Sequence, residues 1–221
     1  MAEQVRAIRT RRAILTAAAK VFEERGYRAA TIAEILATAG VTKGALYFHF
    51  QSKEDLAQGV LAEQDQRLLV PERQSKVQEM VDIVMLHAYR LQTDPLVRAG
   101  VRLSMDQQPG LDRSGPFLRW GEVGHTLLTQ AQSQGELLPH VVPAETSDVV
   151  VGAFAGIQSM SQAINDYQDL TRRVAALLRH LLPSIVVPSV LASLDLTESR
   201  GSAVFAEAAA HLPDSEAVAL T

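Results

Sequence analysis

Thr31-Ile32-Ala33-Glu34-Ile35-Leu36-Ala37-Thr38-Ala39-Gly40-Val41-Thr42-Lys43-Gly44-Ala45-Leu46-Tyr47-Phe48-His49-Phe50 is the stretch that decides the fold. Thr31 followed three residues later by Glu34 is a capping box, in which the hydroxyl accepts a backbone N–H and the carboxylate reaches back. It opens a short helix over 31–38. Ala39-Gly40-Val41 is a tight turn, with Gly40 free to take a positive φ. Thr42 caps a second short helix over 42–48. Two short helices across such a turn have the geometry of a helix-turn-helix. Upstream, Ile14, Ala18, Val21 and Phe22 fall on one face of a helix over 8–25, which Gly26 stops. Downstream, Ser52-Lys53-Glu54-Asp55 opens a longer helix that runs to about Gln66.

The chemistry of this region points to an anionic partner. Residues 1–53 hold nine Lys and Arg against four Asp and Glu, while residues 54–221 hold twelve against twenty-one. A basic head on an acidic body directs only the head to a polyanion. Arg9, Thr10, Arg11 and Arg12 lie near the start of the first helix, where cations are disfavoured by the helix dipole unless phosphates meet them. In the second short helix Lys43 can reach guanine O6 and N7. Gly44 and Ala45 are small enough for a close backbone approach. Leu46 and Phe50 anchor the helix on the core, and Tyr47 and His49 face outward to phosphates or a thymine methyl. Phe48 is shared between core and surface. Lys53 stands beside another helix N-terminus, a natural anion site. DNA-binding residues are therefore Arg9, Thr10, Arg11, Thr42, Lys43, Gly44, Ala45, Tyr47, Phe48, His49 and Lys53.

Beyond the head the pattern stays helical: 75–92, 95–105, 116–134, 145–165 and 168–182, with a short helix near 188–194. Loops fall where Pro and Gly cluster, at 107–116 and around Pro139 and Pro143. The reading is all-α. A helix-turn-helix domain occupies 1–52, a ligand-binding and dimerisation domain 53–199, and an Ala-rich tail 200–221, which the composition leaves free of required structure. No cysteine is present, no run approaches the roughly 18–20 apolar residues that span a bilayer, and the first residues lack a secretory apolar run. These features suit a cytoplasmic protein without disulfides or membrane contact. The six histidines are scattered without metal-ligand spacing, and there is neither a Gly-rich phosphate loop nor a Gly-x-Ser-x-Gly elbow. No catalytic residue, metal or cofactor is expected.

The run Gly40 to Phe50, followed by Ser52-Lys53-Glu54-Asp55-Leu56, resembles the N-terminal domain of the TetR family of transcriptional regulators, over about residues 8–60. The resemblance implies a homodimer of Ω-shaped all-helical fold, usually a repressor, with Thr42, Lys43, Gly44, Tyr47, His49 and Lys53 at the DNA. Further along, Val97-Arg98-Ala99-Gly100-Val101-Arg102-Leu103-Ser104, Gly115-Pro116-Phe117-Leu118-Arg119-Trp120 and Phe154-Ala155-Gly156-Ile157-Gln158 resemble the γ-butyrolactone receptors of actinomycetes. That implies a repressor of antibiotic production or development, released from a double-stranded DNA operator by a lactone or furan-type signal. Related pseudo-receptors answer to antibiotics, and TetR-like efflux repressors answer to drugs. The acidic net charge leans towards a true receptor.

A pocket for such a ligand needs apolar walls and a few polar groups. Trp120, the sole tryptophan, and Phe117 supply flat walls. Phe154, Ile157, Gln158 and Ser161 fall on adjoining turns of one helix, with Gln158 and Ser161 polar within an apolar run. Leu86, Val101 and Met105 are further apolar walls. Plain core packing remains open for Trp120, Leu86, Val101 and Met105, and bonding within the interface for Gln158 and Ser161. The small residues Gly152, Ala153, Ala155 and Gly156 suit close packing of 145–165 and 168–182 in a four-helix dimer interface. A two-fold dimer presents its reading helices to half-sites about 34–36 Å apart, hence a pseudo-palindromic operator. The expected switch is a tilt of the 52–66 helix when ligand binds.

Overall fold

The computed structural model describes residues 2–63, 70–105 and 114–210. Their architecture is all-α, as the sequence indicates. The helices are α1 (Ala2–Ala29), α2 (Ile32–Ala39), α3 (Lys43–His49), α4 (Lys53–Glu63), α5 (Lys76–Thr93), α6 (Pro95–Met105), α7 (Ser114–Ser133), α8 (Pro143–Asn165), α9 (Leu170–Leu181), α10 (Pro188–Leu191) and α11 (Arg200–Ala210). A 3-10 turn covers Leu182–Ser184, and Leu137 and Val186 form an isolated antiparallel bridge. The chain divides into two compact units, Met1–Arg67 with Thr93–Pro116, and Leu68–Gln92 with Phe117–Thr221.

In the first unit the regular part of α1 ends at Gly26, whose φ of 76° and ψ of 161° break the helix before a last turn. The capping box is formed: Thr31 Oγ1 accepts from Glu34 N at 3.2 Å, and Glu34 Oε2 accepts from Thr31 N at 3.0 Å. Gly40 closes α2 in the left-handed region, φ 64°, a conformation that costs a side-chain-bearing residue about 1 kcal/mol or more. The core gathers Ile14, Leu15, Ala18 and Phe22 of α1, Ile35 of α2, Leu46 and Phe50 around α3, and Leu56, Val60 and Leu61 of α4. Leu96, Ala99 and Leu103 of α6 belong to the same core. Arg98 also donates to the Glu23 carboxylate, and Arg102 to the Glu23 carbonyl.

This unit is larger than the head drawn from sequence at 1–52. α1 presents a broad apolar face that α2 and α3 alone do not cover, so α4 and α6 complete it. A helix of seven residues such as α3 is unstable by itself. Its fully buried Leu46 ties it to this core, at a strength of about 2–5 kcal/mol if truncated to Ala.

In the second unit α5 is hidden on nearly every side, burying Val77, Met80, Val81, Met85, Leu86, Ala88 and Leu91. Its N-terminal N–H groups are satisfied by a carboxylate from elsewhere in the chain: Glu136 accepts from Lys76 N at 3.2 Å and Val77 N at 2.9 Å. Asp82, also buried, accepts from Arg73, from both Arg200 donors and from Gln78. The Arg73 guanidinium in turn holds Glu207 at 2.8 and 2.6 Å.

These ion pairs dock α11, with Gly201 and Val204 buried, so the stretch after Ser199 that composition leaves free is structured as far as Ala210. Residues 211–221 lie outside the described part. α8 and α9 are joined by a turn in which Asp166 and Tyr167 both take positive φ, 52° and 66°. α7 and α8 approach closely where Ser147 Oγ donates to the Gly121 carbonyl at 2.7 Å. A Cβ on Gly124 would stand 2.5 Å from Ser147 Oγ.

Candidate DNA interface and effector site

Helical geometry turns Lys43, Gly44, Tyr47 and Phe48 of α3 to one side, within about 140° of arc, and Leu46 to the other. Burial follows that division, with Leu46 sealed and all four others exposed. Thr42 Oγ1 accepts from Ala45 N at 3.2 Å and caps the helix. The Lys43 ammonium stands 5.8 Å from the centre of the Tyr47 ring. Ala45 and His49 are half-buried at the flanks. His49 meets the Phe48 ring edge-on, centroids 5.0 Å apart. The face therefore offers one ammonium, one phenol, a bare backbone at Gly44 and an apolar ring.

Three expectations change in detail. Phe48 is 80% exposed and contributes nothing to the core, which Phe50 enters alone, 2% exposed. α1 begins at Ala2, so Arg9, Thr10, Arg11 and Arg12 lie two turns inside it. The dipole argument acts only within a first turn and does not apply to them. Arg9 is exposed, while Thr10, Arg11 and Arg12 are half-buried, with the Arg11 guanidinium 5.3 Å from the Phe50 ring centre. Lys53, finally, is engaged within the protein: its ammonium donates to the Arg28 carbonyl at 3.2 Å and lies 4.6 Å from the Tyr27 ring. Burial, and then the hydrogen bond to Glu54, push the Tyr27 phenol up to about 12.

In the second unit three helices meet at one imidazole. His87 of α5 lies 4.9 Å from the Trp120 ring of α7 and 5.4 Å from the Phe154 ring of α8. Gln158 is buried one turn beyond Phe154 on the same face, and Ile157 is half-buried beside it. Leu86 is buried next to His87. Phe117 is exposed at the start of α7, one turn before Trp120. Ser161 is buried, but its hydroxyl donates to Asp169 Oδ1 at 2.8 Å and so braces the α8–α9 turn. The Asp169 carboxylate is held well below its ordinary range, first by Arg173 and also by Ser161 and Arg172. Val101 is buried in the first unit, and the Met105 side chain lies outside the described residues.

His87 and Arg90, both buried on α5, were not singled out by sequence reasoning. The signal was there: two basic residues three apart inside the apolar run Met80 to Leu91.

The outer face of α8 is apolar and open. Val149, Met160 and Ile164 are exposed, and nothing stands within 4 Å of a Cβ built on Gly152 or Gly156. Among the described residues no helix is long and apolar enough to cross a membrane.

Comparison with known proteins places this geometry. Residues 14–60 match the family of bacterial regulatory proteins, tetR family. The chain is 41% identical over 196 residues to the A-factor receptor protein of Streptomyces griseus, covering 88% of this chain and 70% of that one. The crystal structure of full-length TylP, a TetR regulator from Streptomyces fradiae, superimposes with a TM-score of 0.85 at 45% identity, covering 92% of this chain and 99% of that one. A γ-butyrolactone receptor, described as ArpA-like, superimposes with a TM-score of 0.64 at 28% identity over 92% of this chain and 99% of that one. With its reading helix formed and a full-length relative at this identity, the chain belongs to the tetR family of bacterial regulatory proteins.

Proposed function

We propose that the protein is a homodimeric repressor that binds a pseudo-palindromic operator and is released from it by a γ-butyrolactone-type signal, in the control of antibiotic production or development. The observation that carries the reading is α3, held to the core by Leu46 while Lys43, Gly44, Tyr47 and Phe48 face solvent. Such a face lies in a major groove with Lys43 at base edges and Tyr47 at phosphates. Phe48 finds an apolar partner there in a thymine methyl. Thr42, Ala45 and His49 border the contact, and Arg9, Thr10, Arg11 and Lys53 supply cationic or polar flanks. The open apolar face of α8 supports a two-fold interface with a second copy, to which α9 adds Leu177 and Leu181. The effector class follows the relatives named as A-factor and γ-butyrolactone receptors, and Trp120, Phe154, Ile157, Gln158 and Leu86 give it walls. The site of action is the bacterial cytoplasm.

For release, the ligand must bind the DNA-free form more tightly, with a coupling of typically about 1–3 kcal/mol. Because α6 shares its core with α1 and its arginines grip Glu23, any displacement of α6 displaces the reading head. A gel shift on a duplex from its own upstream region tests the whole reading. Specific retardation at moderate salt is expected, relieved by an acyl-γ-butyrolactone and not by antibiotics or drugs. No preference for any palindromic duplex over a scrambled one sinks the repressor. Release by antibiotics alone replaces the effector class.

A further inference from the structure

α5 carries an imidazole where its packing calls for a hydrocarbon. His87 is 6% exposed, and its Nδ1 is sealed from solvent with no hydrogen-bond partner among the described residues. Its neighbours Trp120 and Phe154 cannot accept a conventional hydrogen bond in the ring plane, since an indole offers only a donor and a phenyl ring offers neither. On α8, Gln158 is likewise 6% exposed, one turn beyond Phe154. A buried polar group left without a partner is destabilising, and native cores hold few. One such imidazole, flanked by flat apolar walls and with the Gln158 amide on a helix that meets the same rings, matches the makeup of a small-molecule site: mostly apolar, with a few polar groups that fix orientation.

Burial, and then the charge of Arg90, push the His87 pKa down to about 3, so at neutral pH the ring is uncharged and presents one N–H and one lone pair. An uncharged donor suits a carbonyl oxygen better than a carboxylate. Its surroundings suit a ligand with an apolar chain.

We propose that His87 is the polar anchor of the effector site, donating its ring N–H to the lactone carbonyl while Trp120 and Phe154 flank the acyl chain and Gln158 holds a second polar group of the ligand. This assignment rests on the effector class proposed above. The test uses the full-length protein, an operator duplex and a 2-acyl-γ-butyrolactone, with the lone tryptophan as a fluorescence reporter of direct binding. His87→Phe keeps the volume and removes the donor. It is expected to bind operator as the wild type does and to need about tenfold more lactone for release and for quenching, the loss of one hydrogen bond. His87→Gln, which restores an N–H, recovers most of that loss. Should His87→Phe fail to bind operator, the ligand carries the comparison. The analogue with its ring carbonyl reduced to methylene must then bind the wild type about tenfold more weakly. An unchanged lactone midpoint in His87→Phe, or an unchanged affinity for the reduced analogue, overturns the anchor and leaves the effector class standing. A wild type indifferent to every lactone overturns the class, and the anchor with it.

Discussion

Gly44→Ala separates what α3 does for the fold from what it does at DNA. Gly44 is exposed in the first turn, and a Cβ built on it meets nothing within 4 Å. The free protein therefore accepts the methyl without strain. Alanine is favoured over glycine inside a helix by about 0.5–1 kcal/mol, and the lower end applies to a first turn. At roughly 2–4 °C per kcal/mol for a chain of this size, the melting temperature should rise by about 1–2 °C.

On the operator the sign reverses. The methyl projects between Lys43 and Phe48, on the side proposed to face the duplex, where the bare backbone is the closest point of approach. Forcing an extra methyl into a packed contact costs about 1–3 kcal/mol, or roughly 5- to 150-fold in affinity. Thermal denaturation of the free protein and anisotropy titration of a labelled operator at fixed salt measure the two effects on one sample. A raised melting temperature with operator affinity unchanged would refute the placement of α3 in the groove. A lowered melting temperature would refute the open space around Gly44.

Lys43→Ala should weaken operator binding by about 1–3 kcal/mol and random duplex by much less; equal losses would make Lys43 a phosphate contact. Gly156→Arg, placed on the open face of α8, should leave the helices intact by circular dichroism and convert the proposed dimer to monomer in sedimentation, and a persisting dimer would move the interface elsewhere. His87 makes stability pH-dependent. Its folded pKa of about 3 lies below an unfolded value near 6.5, so below about pH 6.5 the unfolded chain takes up a proton that the native protein refuses. Urea stability should be level above that pH and fall by about 1.4 kcal/mol per unit beneath it. His87→Phe should remove that slope, and an identical slope in both proteins contradicts the burial. Asp82 is held low by Arg200, Gln78 and Arg73 against the opposing effect of its burial, so it enters only below about pH 4.

The helices were legible because their punctuation is local. Thr31 and Glu34, Gly40, Thr42 and the prolines mark starts and stops through chemistry contained within a few residues, and the caps appear where those residues stand. What was hidden depends on partners distant in sequence. α11 looked like a tail because its docking requires Arg200 to find Asp82, 118 residues away. The bond from Ser161 to Asp169 was hidden because it spans a turn formed by two non-glycine residues of positive φ. Phe48 was partly assigned to the core because aromatic residues usually pack there, and only the rotation of α3 about Leu46 shows it turned outward. The sequence signal at His87 is only its spacing of three from Arg90 within α5, which names no partner. Its meaning arises from rings contributed by α7 and α8.

The unpartnered His87 Nδ1 also bears on why a regulator would keep an imidazole where leucine would pack. Replacing His87 by hydrocarbon would spare the free protein about 1–3 kcal/mol, and would stabilise every conformation in which the cluster stays closed. A ligand that pairs the ring gains that same energy only in the conformation that admits it. The destabilisation built into the unliganded protein thus becomes differential affinity in the complex, which is the only source from which a ligand can shift an equilibrium. Its size, about 1–3 kcal/mol, is comparable to the coupling typical of release. On the proposed anchor, that single polar atom supplies coupling that a wholly apolar pocket has to find in shape alone.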